Sequence, residues 1–359
     1  MAGLLRVITE TQKPRVHKYT QELLARAKKQ HGEDSDAYRG IYNQYFRMPS
    51  TGPSFGNNTR HFDALMSSDF PQGLERLYRR VVVIDMLSAC ASECVFCVRG
   101  LYDPHTLGTD QISAIADFLK RDEDLREILI TGGDPLISPR KLNELLSAVA
   151  TSAENIITVR MGTRLPVQNP GAFTPDTYRV FEEFAGRFQF EIGVQVNHPF
   201  ELQPEAVEVF SALQQRGVRL YSQNVLLKGV NDAAETLIEL YDRQRTLRFI
   251  PHYLFHAVPM VGTDEFRTTV AKGLRLASEI SGSGYLSGLA KPMFTVMTDI
   301  GKVTPYEGSI VAKNGRKLTL RTSYRLEDRL RWSPSYRLPA TATVNSAGTL
   351  DVLYNDGED

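Results

Sequence analysis

Between Val81 and Leu254 short apolar runs alternate with stretches of helical periodicity. Val81–Leu87, Glu127–Thr131, Ile156–Arg160, Gln189–Val194, Val218–Ser222 and Leu247–Leu254 read as strands, rich in β-branched residues and mostly too short for helices. Between them, Asp110–Arg121, Pro139–Ala150, Asp176–Ala185, Pro204–Arg216 and Ala233–Arg243 repeat their apolar positions every three to four residues. Polar, glycine-bearing loops follow the strands. This alternation predicts an α/β fold whose parallel strands form a barrel or partial barrel. In such folds chemistry gathers where strands run out into βα loops.

The flanks differ. Residues 1–79 are expected to form a helical extension, with an amphipathic helix over Tyr19–Lys29 and a turn-rich loop over Pro49–Asn58. Residues 80–303 are the predicted barrel core, with a further strand at Met293–Met297. From 304 to 359 short alternating runs, Lys317–Ser323 and Thr349–Tyr354, predict a small antiparallel appendage. The last residues, Asn355–Asp359, are expected to fray.

Composition narrows the partners. Of 359 residues, 42% are hydrophobic and 23% charged, as in a soluble globular enzyme. Lys plus Arg and Asp plus Glu balance at 42 each, which suggests neither a nucleic-acid nor an anionic-membrane partner. No apolar run is long enough to span a bilayer, and the apolar start, Met1–Ile8, is too short for a signal peptide.

All three cysteines fall within eight positions: Cys90, Cys94 and Cys97. A disulfide leaves an odd thiol over. Zinc needs a fourth ligand, and no His or Cys stands nearby at finger-like spacing. Three thiolates on a tight loop suit a 4Fe-4S cluster better, one iron to each and the fourth open to a small molecule. An oxygen-sensitive cluster and no spare cysteine fit a reducing cytoplasm.

The C-x3-C-x2-C spacing, with Phe96 before the last cysteine, resembles the radical S-adenosylmethionine (SAM) superfamily. Gly132-Gly133-Asp134, at the end of the second strand, resembles that superfamily's segment for the methionine amino group of SAM. Glycines there let the backbone approach a ligand closely. Ile130–Leu136, Gly162–Val167, Asn197–Pro199, Gln223–Asp232, Pro251–Leu254 and Phe266–Thr268 together sharpen the likeness to the lysine 2,3-aminomutase family, over about Gly73 to Arg321. The resemblance implies a radical SAM partial (β/α)6 barrel that uses a 4Fe-4S cluster, SAM and pyridoxal 5′-phosphate (PLP). Its members move an α-amino group to the β-carbon. The implied partners are a small amino acid or derivative and a reductant such as flavodoxin or ferredoxin. A homo-oligomer is compatible with it.

The same resemblance assigns residues. Arg99 matches an arginine for the substrate carboxylate. Arg164 and Gln223 match contacts to the PLP phosphate, and a guanidinium at a strand end suits that role. His198 matches a position near SAM, with a loop-shaping histidine as the alternative. Gly301-Lys302-Val303 matches the core of the segment whose lysine holds the PLP aldehyde. The family's glycine run is missing here, and Pro292–Lys302 is two residues shorter; a solvated turn lysine is the other reading.

Where lysine-specific members place two aspartates for the distal ammonium, this chain has Val258 and Met297. An ammonium buried against them is unpaired, which costs several kcal/mol. His256 lies near and offers a neutral hydrogen bond, or else packs in the core. The tail also lacks the zinc-binding cysteines of the lysine-specific members. The expectation is therefore a radical SAM aminomutase-like isomerase acting on a substrate other than lysine. The alternative is a PLP-independent epimerase, eliminase or dehydrogenase on the same scaffold. A non-catalytic electron-transfer or sensor protein ranks below both.

Overall fold

The protein is described by a computed structural model that covers residues 14–48, 69–76, 78–99, 104–260, 263–306 and 308–359. The loop expected over Pro49–Asn58 lies outside these residues.

Two helices come first among the described residues, α1 (Lys18–His31) and α2 (Asp36–Tyr45). His17 and Ser35 cap them, each accepting a backbone N–H from the first turn. The barrel then alternates as expected: β1 (Leu74–Arg76), β2 (Val81–Leu87), α3 (Thr109–Arg121), β3 (Glu127–Gly132), α4 (Pro139–Ser152) and β4 (Thr158–Thr163). It continues with α5 (Leu165–Gln168), α6 (Pro175–Phe184), β5 (Gln189–Val194), α7 (Pro204–Gln215), β6 (Arg219–Leu226), α8 (Ala234–Thr246) and β7 (Ile250–His256). After α9 (Val270–Gly282) come β8 (Met293–Thr298) and β9 (Gly301–Val303).

These strands form one open sheet in chain order, β1 to β9. Strands β2 to β8 are all parallel, while β1 and β9 pair antiparallel at the two edges. Met293–Thr298 therefore joins the expected strands as a further parallel one. The last of those strands also begins later than its apolar run, because α8 continues to Thr246 and Arg248 turns the chain at φ 62°. Each strand has one face toward the helices and one toward the barrel interior. On β4, Val159, Met161 and Thr163 are buried under helices, while Arg160 reaches Glu191 of β5 at 3.5 Å. The interior is accordingly polar.

The tail forms β10 (Ile310–Asn314), β11 (Lys317–Arg321), α10 (Leu326–Trp332), β12 (Ala342–Val344) and β13 (Leu350–Asn355). Its four strands make an antiparallel sheet in the order β10-β11-β13-β12. Leu318, Leu320, Val352 and Tyr354 share a core with Phe294 and Val296 of β8 and Leu276 of α9, so the sheet is packed onto the barrel. Asn355–Asp359 do not fray. Arg267, fully buried, donates to the carbonyls of Asn355 and Asp356, and the Asp356 carboxylate accepts Val270 N–H at 2.7 Å. Those bonds outweigh the entropy that frees most termini.

Candidate functional site

The cysteine loop leaves the C-terminal end of β2. None of its three thiols is in a disulfide. Its backbone is pinned from outside: Glu93 N–H donates to Arg15 O, and Val95 N–H to Gln44 O, at the end of α2. From the barrel side, Gly132 and Gly133 press against it. A Cβ on Gly133 would strike the Ala89 carbonyl, and one on Gly132, at φ 122°, would strike Leu87 O and the Asp85 carboxylate. Only glycine permits that approach. Asp134 is buried and accepts four groups: Thr163 Oγ1 at 2.7 Å, Arg164 N–H at 2.8 Å, Leu165 N–H at 2.9 Å and Leu136 N–H at 3.1 Å. It thereby bolts the end of β3 to the end of β4. Burial pushes its carboxyl above the ordinary range, against those hydrogen bonds.

Arg164 faces the cysteines. Its Nη1 donates to Cys94 Sγ at 2.9 Å, and Nη2 donates to Gln44 Oε1 at 2.8 Å and Glu201 Oε1 at 2.5 Å. The guanidinium lies 5.0 Å from the Tyr45 ring centroid and 5.6 Å from that of Phe96. Its buried Nε has no partner. Gln168 adds a second donor to Cys94 Sγ at 3.4 Å. Burial raises the Cys94 thiol, and Arg164 opposes it. The structure thus places Arg164 at the cysteine loop, with both terminal nitrogens engaged.

Arg99 is also held by acids. It donates to both oxygens of Glu75 at 3.1 Å and to Asp85 at 2.9 Å, and Asp85 in turn meets His105 Nε2 at 2.9 Å. Glu75 and Asp85 are buried. His198 lies against α2: its Nε2 is 2.9 Å from Asp36, its Nδ1 accepts Phe200 N–H, and its ring fills the space a Cβ on Gly40 would need. Asn197 beside it donates to Gln44 Oε1 and accepts Val225 N–H.

Lys302 lies on β9, paired with Met297 of β8. Its Nζ is 4.8 Å from the Tyr253 ring centroid and 5.5 Å from that of Phe255. Burial, then the charge of Arg160, lowers its amine to about 8. His252 on β7 is lowered to about 4, burial again leading and the charge of Lys302 contributing. Gln223 of β6 sits over Gly193, with its Oε1 2.8 Å from where a Cβ would be.

His256 is fully buried. Its Nδ1 is 2.6 Å from Tyr354 OH and its Nε2 is 2.7 Å from Thr268 O, so both nitrogens are occupied and burial lowers its pKa to about 3. It is a packed core histidine. Val258 follows β7, and its carbonyl accepts Met260 N–H and Thr263 Oγ1.

The structure therefore gathers Cys94, Arg164 and the Gly132–Asp134 turn at one place, and Lys302 with Tyr253 and Arg160 at another. Gln44, Tyr45, Gln168 and Glu201 belong to the first group and were not foreseen. Glu201 alone carried a signal, standing three residues after His198 in a capping position. Among the described residues, no group of three or more His, Cys, Asp or Glu side chains converges as ligands to a single metal ion. No described helix is long and apolar enough to cross a membrane.

No protein-family model matches the chain. It is 34% identical over 245 residues to an Aquifex aeolicus protein named Putative L-lysine 2,3-aminomutase, spanning 67% of this chain and 65% of that one. It is 29% identical over 255 residues to the L-lysine 2,3-aminomutase of Acetoanaerobium sticklandii, covering 69% and 60%. Identity is likewise 29% over 255 residues to the glutamate 2,3-aminomutase of Clostridioides difficile, covering 69% and 59%. The chain thus spans about 60–65% of the length of these curated relatives. Among solved structures, a radical SAM methyltransferase from Sphaerobacter thermophilus aligns at TM-score 0.46 and 22% identity, over 62% of this chain and 67% of that one.

Proposed function

The chain belongs, as a diverged member, to the lysine 2,3-aminomutase family, and on that premise we propose that it is a radical SAM enzyme moving an amino group within a small amino acid other than lysine. The observation that carries this reading is the packing of Gly132-Gly133 against the loop of three unbridged thiols. The thiols suit a 4Fe-4S cluster as donors to three irons. The half-buried glycine turn, packed beside those thiols, suits SAM there. A cluster and SAM held there would supply radical chemistry, with a reductant such as flavodoxin or ferredoxin as the electron source, and PLP would supply an aldehyde for the amino group.

The chain's own residues have distinct parts in this reading. Cys90, Cys94 and Cys97 hold the cluster. Arg164 and Gln168 steady the Cys94 sulfur with N–H donors, the kind of outer contact that orients a metal ligand. Lys302, lowered to about 8, offers the uncharged amine that an aldehyde needs. Tyr253 and Phe255 shield that amine from water. Val258 and Met297 place no carboxylate where a second ammonium would need one. One observation favours the PLP-independent reading: Arg164 is committed to Cys94, Gln44 and Glu201.

The test is anaerobic reconstitution with iron and sulfide, reduction, and measurement of 5′-deoxyadenosine released from SAM. We expect release from the native chain and none, with no bound iron, from the variant Cys90→Ala/Cys94→Ala/Cys97→Ala. SAM cleavage retained by that variant refutes the reading.

A further inference from the structure

Four arginines are buried among the described residues: Arg76, Arg164, Arg267 and Arg329. Three of them have a carboxylate. Arg76 pairs with Asp122 at 2.5 Å, Arg164 with Glu201 at 2.5 Å and Arg267 with Asp264 at 3.6 Å. Arg329, only 5% exposed, has none. Its Nη2 donates to Ile300 O at 2.9 Å, two residues before Lys302, and its Nη1 has no partner. The rings of Tyr324 and Tyr336 stand 5.9 and 5.2 Å from the guanidinium carbon. The groups that act on its charge are phenols, those of Tyr336, Tyr324 and Tyr78, and burial pulls it below its ordinary range. Asp299 acts on Tyr336, but its Oδ2 accepts from Thr341 and it does not figure among the charges on Arg329.

Three more buried polar groups close by in the chain lack partners: Trp332 Nε1, Ser333 Oγ and Tyr336 OH. They lie within seven residues of Arg329: Trp332 is the last residue of α10, and Ser333 and Tyr336 belong to the non-helical turn that follows, which brings the Tyr336 ring against the guanidinium. A guanidinium and an indole can only donate. Whatever satisfies this group must accept hydrogen bonds and bring negative charge, because an unpaired buried cation is strongly unfavourable.

We propose that Arg329, with Trp332, Ser333 and Tyr336, is a binding site for a phosphate or carboxylate group at the junction of α10 and β9. An anion there gains charge-assisted hydrogen bonds from donors already in place. The site adjoins the strand of Lys302 through Tyr324, whose hydroxyl donates to Lys302 O at 2.8 Å. Two sources share this chemistry, the phosphate of PLP and the carboxylate of a small acid. The site rests on the chain's own donors, so phosphate binding tests it whether or not the reaction proposed above holds.

The experiment is binding of labelled inorganic phosphate to the full chain by equilibrium dialysis in phosphate-free buffer. One saturable site per chain is expected. Arg329→Met should weaken it at least tenfold, and Tyr336→Phe and Ser333→Ala severalfold each; the latter two keep the test open if the arginine variant does not fold. Lys302→Ala should bind phosphate as the native chain does, which separates this site from PLP attachment. Absence of saturable binding to the native chain overturns the proposal, as does unchanged affinity in all three site variants. In a competition arm, displacement of phosphate by PLP but not by pyridoxal assigns the site to a phosphate ester. Displacement by succinate and not by PLP assigns it to a carboxylate.

Discussion

Replacing Lys302 by Met should stabilise the protein at neutral pH, by an amount that disappears as pH rises. In the fold the amine is lowered from 10.5 to about 8, burial first and Arg160 second. A shift of that size corresponds to ~3 kcal/mol of preference for the uncharged form. The rings of Tyr253 and Phe255 pull the other way, since a cation near an aromatic face gains about 0.5–2 kcal/mol. Burial wins, and the amine stays well below its ordinary range. Because the folded value lies below the unfolded one, the unfolded chain binds more protons between the two. Stability from this group therefore rises with pH across that window, and below it the buried ammonium is a full liability. A methionine side chain at this position would fill the same aromatic box without a charge. Urea unfolding from pH 7 to pH 10 should show Lys302→Met ahead by about 1–3 kcal/mol at pH 7, the lead vanishing toward pH 10.5. The same lowered value should govern capture of pyridoxal, read as a borohydride-fixed adduct on the Lys302 peptide. A lead that does not change with pH, or a capture midpoint near 10.5, would mean the amine is solvated and the argument fails.

Gly133→Ala drives a methyl group into the Ala89 carbonyl, and backbone on both sides leaves little room to yield; it should cost roughly 1–3 kcal/mol and reduce the iron retained after reconstitution, measured by colorimetric assay. Glu201→Gln removes the carboxylate from a buried pair with Arg164 and should destabilise by about 3–5 kcal/mol in urea, more than any exposed pair such as Arg179–Asp176. L-Lysine should not be converted to β-lysine at a rate near that of the best substrate in a chromatographic assay. If it is, an acid elsewhere in the chain, such as Asp299, holds the ammonium.

The barrel was legible because short strands with apolar residues in runs or at alternate positions recur between helices that carry their period openly. The cysteine loop and the Gly132–Asp134 turn were legible as motifs, since their chemistry demands particular residue types at short spacing. What those motifs do locally was less so. Asp134 reads as a ligand-facing acid but spends its four acceptor positions bolting β3 to β4. Gln44 had no signal at all. Its partners Arg164 and Asn197 stand 120 and 153 residues away, and a glutamine on an amphipathic helix looks the same whether it meets water or an arginine. Short β1 was hidden too, because three residues carry no period.

Lys302 shows how the two parts of the chain depend on one another. The resemblance implies a glycine run before the lysine, and Met297-Thr-Asp-Ile-Gly301 keeps one glycine, at φ 129°. A flexible loop is not what presents the lysine here. β9 turns back on β8 and sets Lys302 opposite Met297, with Thr298 Oγ1 donating to Gly301 O at 2.7 Å. Residues beyond the resembling stretch then fix the strand from behind: Tyr324 holds Lys302 O and Arg329 holds Ile300 O. A strand clamped at three successive positions needs fewer glycines than a loop that must bend to reach its ligand. The shortened approach and the C-terminal appendage are thus two sides of one solution, in which pairing and packing replace backbone freedom in aiming the amine at Tyr253.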